Sequence, residues 1–101
     1  MLYATNRHDW RAWLEKYHQI KEEIWLVYYN KASGKPSIPY DDAVEEALCF
    51  GWIDSIAKKP GENSRAQRFT PRRKGSKISE LNKERVRILL REGKMTPAGI
   101  N

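Results

Sequence analysis

A chain of 101 residues makes one small domain, since a single core commonly serves about 100–150 residues. It is 40% hydrophobic, 32% charged and 11% aromatic, too aromatic for a disordered segment. Its net charge is +6, no apolar run is long enough to span a membrane as a helix, and the first residues carry no export signal. Cys49 stands alone, which excludes an intrachain disulfide and fits a reducing compartment, so a cytoplasmic protein is expected.

Along the chain, the spacing of Trp10, Trp13, Leu14 and Tyr17 predicts one buried helix face, with Asn6 as cap and Arg7, Arg11, Glu15 and Lys16 on a solvated face. Glu23 to Tyr29 is β-branched and aromatic with little alternation, which predicts a strand covered on both faces. Ser33-Gly34-Lys35-Pro36 breaks it. Asp41 to Phe50 predicts a second helix, acidic at its start and stopped by Gly51, its apolar face formed by Tyr40, Val44, Ala47 and Leu48. Trp52 to Ala57 and Arg65 to Thr70 predict an antiparallel hairpin, with Lys58 to Ser64 as its turn. The last long helix is expected over Glu80 to Glu92, capped by Ser79 and stopped by Gly93, with Val86, Leu89 and Leu90 inward and Asn82 on the same face. Thr96-Pro97 has the form of a cap followed by Pro at a first helical position, so the chain is expected to be a member truncated at the start of a further helix.

The fold expected is therefore one α+β domain over 1–101. It has a small three-stranded sheet packed with three helices in the order α-β-α-β-β-α, strands two and three forming the hairpin.

The positive charge is concentrated. Residues 1–56 carry 6 Lys+Arg against 9 Asp+Glu, a net −3, and residues 57–101 carry 13 against 4, a net +9. Such asymmetry points to an anionic partner. Most catalytic constellations are missing. One Cys and two His cannot supply a zinc site, and neither nucleotide-binding glycine loop is present, so no cofactor is expected. Cys49, beside Leu48 and Phe50, is expected to be a buried hydrophobe. His8 and His18 have no catalytic partners, and the Trp10/Trp13/Tyr17 stripe is expected to be core. The acids Asp41, Asp42, Glu45 and Glu46 fit the positive end of a helix dipole.

Two features remain. From Arg65 to Lys77 there are six positive charges in thirteen residues and no acid. Arg68, Arg72, Arg73 and Lys74 offer charge, and Gly75 and Ser76 offer close backbone and hydroxyl contacts to a phosphate. The second is Trp52-x-Asp54-Ser55, where Asp54 is expected to pair across the hairpin with Arg68 and Trp52 is a candidate stacking ring.

Ala47 to Ser55, Arg68-Phe69-Thr70-Pro71-Arg72-Arg73-Lys74-Gly75-Ser76, Asn82 and Glu92 to Gly99 resemble the YdeI/OmpD-associated family. That resemblance implies bacteriocin protection and resistance to cationic antimicrobial peptides, in some members with a periplasmic location, and it carries no catalytic mechanism. Ile78 stands where relatives tend to have Trp, and relatives continue beyond Pro97-Ala98-Gly99 into a further helical segment.

Three functions are open at this stage. The first is a non-enzymatic module binding a phosphate-bearing ligand or nucleic acid through Trp52, Asp54, Arg68, Arg72, Arg73, Lys74, Gly75, Ser76 and Asn82. The second is a peptide-resistance or stress factor acting through protein partners on an exposed apolar patch. The third is a small enzyme with Asp54 as acid or base, which requires Asp54, Trp52 and Arg72 in one pocket.

Overall fold

Asn6 opens the first helix as the spacing predicts, its side chain accepting the Asp9 backbone N–H at 2.9 Å. The computed structural model describes residues 1–73 and 78–100. Among these, the elements are β1 (Leu2–Tyr3), α1 (Arg7–Tyr17), β2 (Ile24–Tyr29), α2 (Tyr40–Cys49), β3 (Trp52–Gly61), β4 (Ser64–Pro71), α3 (Glu80–Arg91) and a single turn, α4 (Pro97–Ile100). The class is α+β, with four strands and four helices rather than three of each. The strand absent from the expectation is β1, two residues that pair parallel with β2.

The sheet order is β1-β2-β4-β3, with β4 antiparallel to both neighbours. The β3–β4 hairpin is longer than its sequence indicates. Lys58 to Gly61 continue the strand, and only Glu62 and Asn63 turn it. Pro60 is tolerated because β3 is an edge strand, where a missing N–H costs no ladder bond. A bulge at Ser55-Ile56 then shifts the register between Asp54↔Phe69 and Ala57↔Gln67.

The core lies on one face of the sheet. Leu26 and Phe69, with Ile24 and Tyr28 beside them, pack against Trp10, Leu14, Val44, Leu48 and Leu89 from the helices. Trp10 ties α1 to α2 by donating its indole N–H to the Ala43 carbonyl at 2.9 Å. In α3, Leu89 is buried and Val86 partly so, but Leu90 is half exposed, contrary to the expected inward trio.

Two polar features hold the helices together. Glu46 is buried on α2 and accepts Arg7 Nε at 2.8 Å and Arg11 Nη1 at 2.9 Å. Arg7 and Arg11 are therefore not on a purely solvated face. Desolvation works against both guanidinium charges, but the bonds to Glu46 outweigh it and hold both above their ordinary values.

At the other end of α2, Thr96 donates its N–H (3.0 Å) and its hydroxyl (2.6 Å) to the Cys49 carbonyl, which the helix itself leaves unpaired. Gly51, at φ +75°, turns the chain out of α2 and lies against Ala98 of α4. Cys49 itself is buried, and burial pushes its thiol up, away from reactivity.

Candidate functional site

Of the nine residues expected to form a site, six are described; Arg68 and Arg73 line one groove, and Trp52, Asp54 and Asn82 lie outside it. Trp52 is 1% exposed and packs edge-on against Trp13, with ring centroids 5.9 Å apart. It is a core residue with no face to offer a ligand, so the stacking role expected of it is corrected. The expected Asp54–Arg68 pair is corrected as well. Asp54 sits opposite Phe69 on the helix side of the sheet, and alternation then sends Arg68 to the other side. There Arg68 donates to Glu23 Oε2 from Nε at 3.0 Å and from Nη2 at 2.8 Å.

Arg72 is half-buried, and its backbone N–H bonds the Gly51 carbonyl at 2.8 Å. Arg73 is exposed. Lys74, Gly75 and Ser76 lie outside the described residues. Asn82, on the first turn of α3, accepts Arg85 Nη1 at 2.9 Å, and Arg85 Nη2 reaches Asp41 at 2.7 Å.

What the helix side does bring together is Asp54 and two tyrosines. Asp54 accepts the Tyr40 hydroxyl at 2.6 Å, and the Tyr28 ring lies 6.3 Å from that of Tyr40. Tyr28, Tyr40 and Arg65 line a cavity of ≈300 Å³ with Tyr29, Ser37, Ile38 and Pro39. The Tyr28 hydroxyl is buried and has no hydrogen-bond partner among the described residues. Burial first, then the bond to Asp54, pushes the Tyr40 hydroxyl up to about 12, and burial raises Tyr28 as well.

A proton held more tightly in the folded state contributes stability that is complete below the ordinary value near 10 and is lost as pH rises through the folded value. The expected result is therefore a domain stable to pH ~10 that loses stability between about 10 and 12. Phenolate absorbance and circular dichroism, followed together, check this. Tyr40→Phe should flatten part of the alkaline loss.

The opposite face of the sheet lies outside the core cluster that α1, α2 and α3 build. Register and alternation place Trp25, Val27 and Tyr29 of β2 there, with Tyr3 of β1, Ser64, Ala66 and Arg68 of β4, and Lys58 of β3. Val27 and Ala66 are buried, yet they lie outside the core cluster that the helices build. They form the floor of a second, shallow apolar surface. Its walls are aromatic: Tyr3 is 41% exposed and meets Tyr29 edge-on at 4.9 Å.

Cations cover the rings of this face. Lys58 Nζ stands 4.7 Å from the Trp25 centroid, and Lys35 Nζ stands 4.5 Å from that of Tyr29. At one end, Arg68 and Arg73 line a groove of ≈580 Å³ with Glu22, Glu23, Ile53 and Thr70.

Trp25, Tyr29, Tyr3 and Lys58 escaped the sequence-based site. β2 is apolar at every position, so it reads as covered on both faces, and Lys58 reads as part of a turn. β4 is likewise buried on both sides at its centre, where Ala66 and Gln67 point to opposite faces, so burial alone does not mark one face as a site.

Among the described residues, no helix is long and apolar enough to cross a membrane, and no three His, Cys, Asp or Glu residues are grouped to hold a metal ion. No curated protein and no solved structure matches the chain. A family model described as a domain of unknown function, DUF8412, matches residues 2–101, and the chain belongs to that family.

Proposed function

We propose that this domain is a non-enzymatic module that binds a phosphate-bearing ligand or nucleic acid on the open face of its sheet and the basic groove at the end of that face. The observation that carries the reading is that Lys35 and Lys58 stand over Tyr29 and Trp25 of β2, while Arg68 and Arg73 line one groove beside that strand.

The enzymatic alternative has less support. Asp54, Trp52 and Arg72 share none of the cavities described above, and Asp54 is engaged by Tyr40.

Binding through four cations should follow counterion release. For a short oligonucleotide, log K plotted against log salt should fall with a slope of about −3. A slope near zero, or no binding of oligonucleotide or inorganic polyphosphate at low salt, contradicts the proposal.

Glu23 gives a second test. It holds Arg68 by a charge pair exposed to solvent, with side-chain exposures of 35% and 50%. Glu23→Gln releases the arginine and removes a repelling charge. Affinity for the same anion should rise about two- to five-fold, the scale of an exposed ion pair. A loss of affinity would show that Glu23 positions Arg68 for the ligand instead.

A second reading follows the resemblance to the YdeI/OmpD-associated family and places peptide resistance on protein partners. Leu81 and Ile88, both exposed and seven residues apart on α3, favour it as a small apolar stripe. Unchanged susceptibility to cationic peptides after deletion of the gene counts against it.

A further inference from the structure

We infer that the open face is a platform for single-stranded nucleic acid, with bases stacked on Trp25 and Tyr29 and the backbone held by Lys35, Lys58 and Arg73. This rests on the anion-binding reading above and narrows it to one ligand class.

A polyanion alone needs only cations, and a solvated lysine serves that purpose anywhere. On this face the cations stand over rings instead. Lys58 lies 4.7 Å from the centroid of Trp25, and Lys35 lies 4.5 Å from that of Tyr29. Trp25 and Tyr29 are part-buried, and the ring face that each ammonium covers is the one a base would take in its place. Trp25 and Tyr29 are four residues apart on one strand, about 13 Å, so they offer two separate stacking positions. Val27 lies buried between them, and Tyr3 closes the side beyond Tyr29.

When a base covers a ring, its lysine is displaced by a few ångströms toward the phosphates that flank that base. One side chain thus guards the ring in the unbound domain and neutralises the backbone in the complex. A paired duplex keeps its bases in the helix and offers these rings nothing to stack on, so the platform selects single strands. An acidic protein segment satisfies the lysines but not the rings.

The test measures fluorescence anisotropy at low salt on the full chain with four probes: a 12-residue oligothymidylate, a duplex of equal length, inorganic polyphosphate and polyglutamate. Oligothymidylate should bind tightest, roughly tenfold above the duplex. Trp25→Leu keeps an apolar side chain over Val27 and Ala66 but removes the ring. It should weaken oligothymidylate by about tenfold, leave polyphosphate within about twofold, and be rescued by Trp25→Phe.

If polyphosphate or polyglutamate binds as well as oligothymidylate and Trp25→Leu changes nothing, the stacking inference is overturned and the anion-binding reading stands. If none of the four binds, both fail. Near-equal affinity for single strand and duplex also overturns the inference. The circular dichroism of each variant shows whether the sheet is intact, and Tyr29→Leu, which should weaken oligothymidylate in the same way, carries the comparison if Trp25→Leu does not fold.

Discussion

Glu46→Ala should destabilise the domain by about 2–3 kcal/mol and lower its Tm by roughly 10–20 °C. Glu46 is 3% exposed, and its two oxygens are divided between Arg7 and Arg11. Removing the carboxylate from a buried pair commonly costs about 3–5 kcal/mol, because the partner charges stay behind. Here the arginines retain 35% and 28% exposure, and Arg7 keeps bonds to Asp42 and Glu45, so the lower figure applies. Arg11 also donates to the Lys94 carbonyl, which couples the loss to the segment after α3. Glu46→Gln keeps the shape and one acceptor and should fall between wild type and Glu46→Ala. Thermal melts of the three proteins give the ordering. A Glu46→Ala domain as stable as wild type would mean that the two arginines are solvated well enough without it.

Gly51→Ala is the second large effect, expected at about 2–5 kcal/mol. The residue holds φ +75°, where a side chain costs roughly 1–2 kcal/mol, and an added Cβ would meet the Ala98 carbonyl oxygen at 2.8 Å. That oxygen belongs to backbone, which cannot swing aside, so an overpacking cost of about 1–3 kcal/mol is added. Gly93 separates the two contributions. It holds φ +72° but has open space where its Cβ would stand. Gly93→Ala should therefore cost only the conformational part. Equal losses at the two positions would show that α4 does not pack against Gly51 as described. Gly99→Ala probes the same contact from the other side, since its Cβ would fall 2.4 Å from the Cys49 carbonyl oxygen.

The helices were legible because their signals are local. Asn6 and Ser79 cap as side-chain chemistry dictates, and Gly51 and Gly93 stop α2 and α3. The hairpin was legible in kind and not in length, because Lys58-Lys59-Pro60-Gly61 has turn composition and only its edge position lets it continue as strand. β1 was not legible, because two residues carry no periodicity.

The candidate site was harder still, because it depends on which face each residue takes. Alternation correctly put Trp52 and Asp54 on one face, but whether that face met core or ligand was decided by helices far along the chain. Arg68 missed Asp54 for the same reason. In the observed register Asp54 opposes Phe69, and the nearest acid on Arg68's own face is Glu23, 45 residues earlier. Glu46 was hidden among helix-start acids, although its position past the first turn of α2 sets it beyond the reach of that explanation. The local concentration of positive charge was visible from the start. β2 is covered on both faces at its centre as expected, with Leu26 and Val27 both buried, and the aromatic surface of the proposal comes from the register, which sets Trp25 and Tyr29 on the side of Val27.

The most direct measurement of the central claim is a nitrogen–proton correlation spectrum of the labelled domain titrated with oligothymidylate at low salt. The account predicts that the Trp25 indole signal and the amides of β2, β4 and the Lys58 segment of β3 shift together, while those of α1 and α3 stay in place. Shifts confined to the helix side, or a Trp25 indole that does not move at saturation, would contradict it.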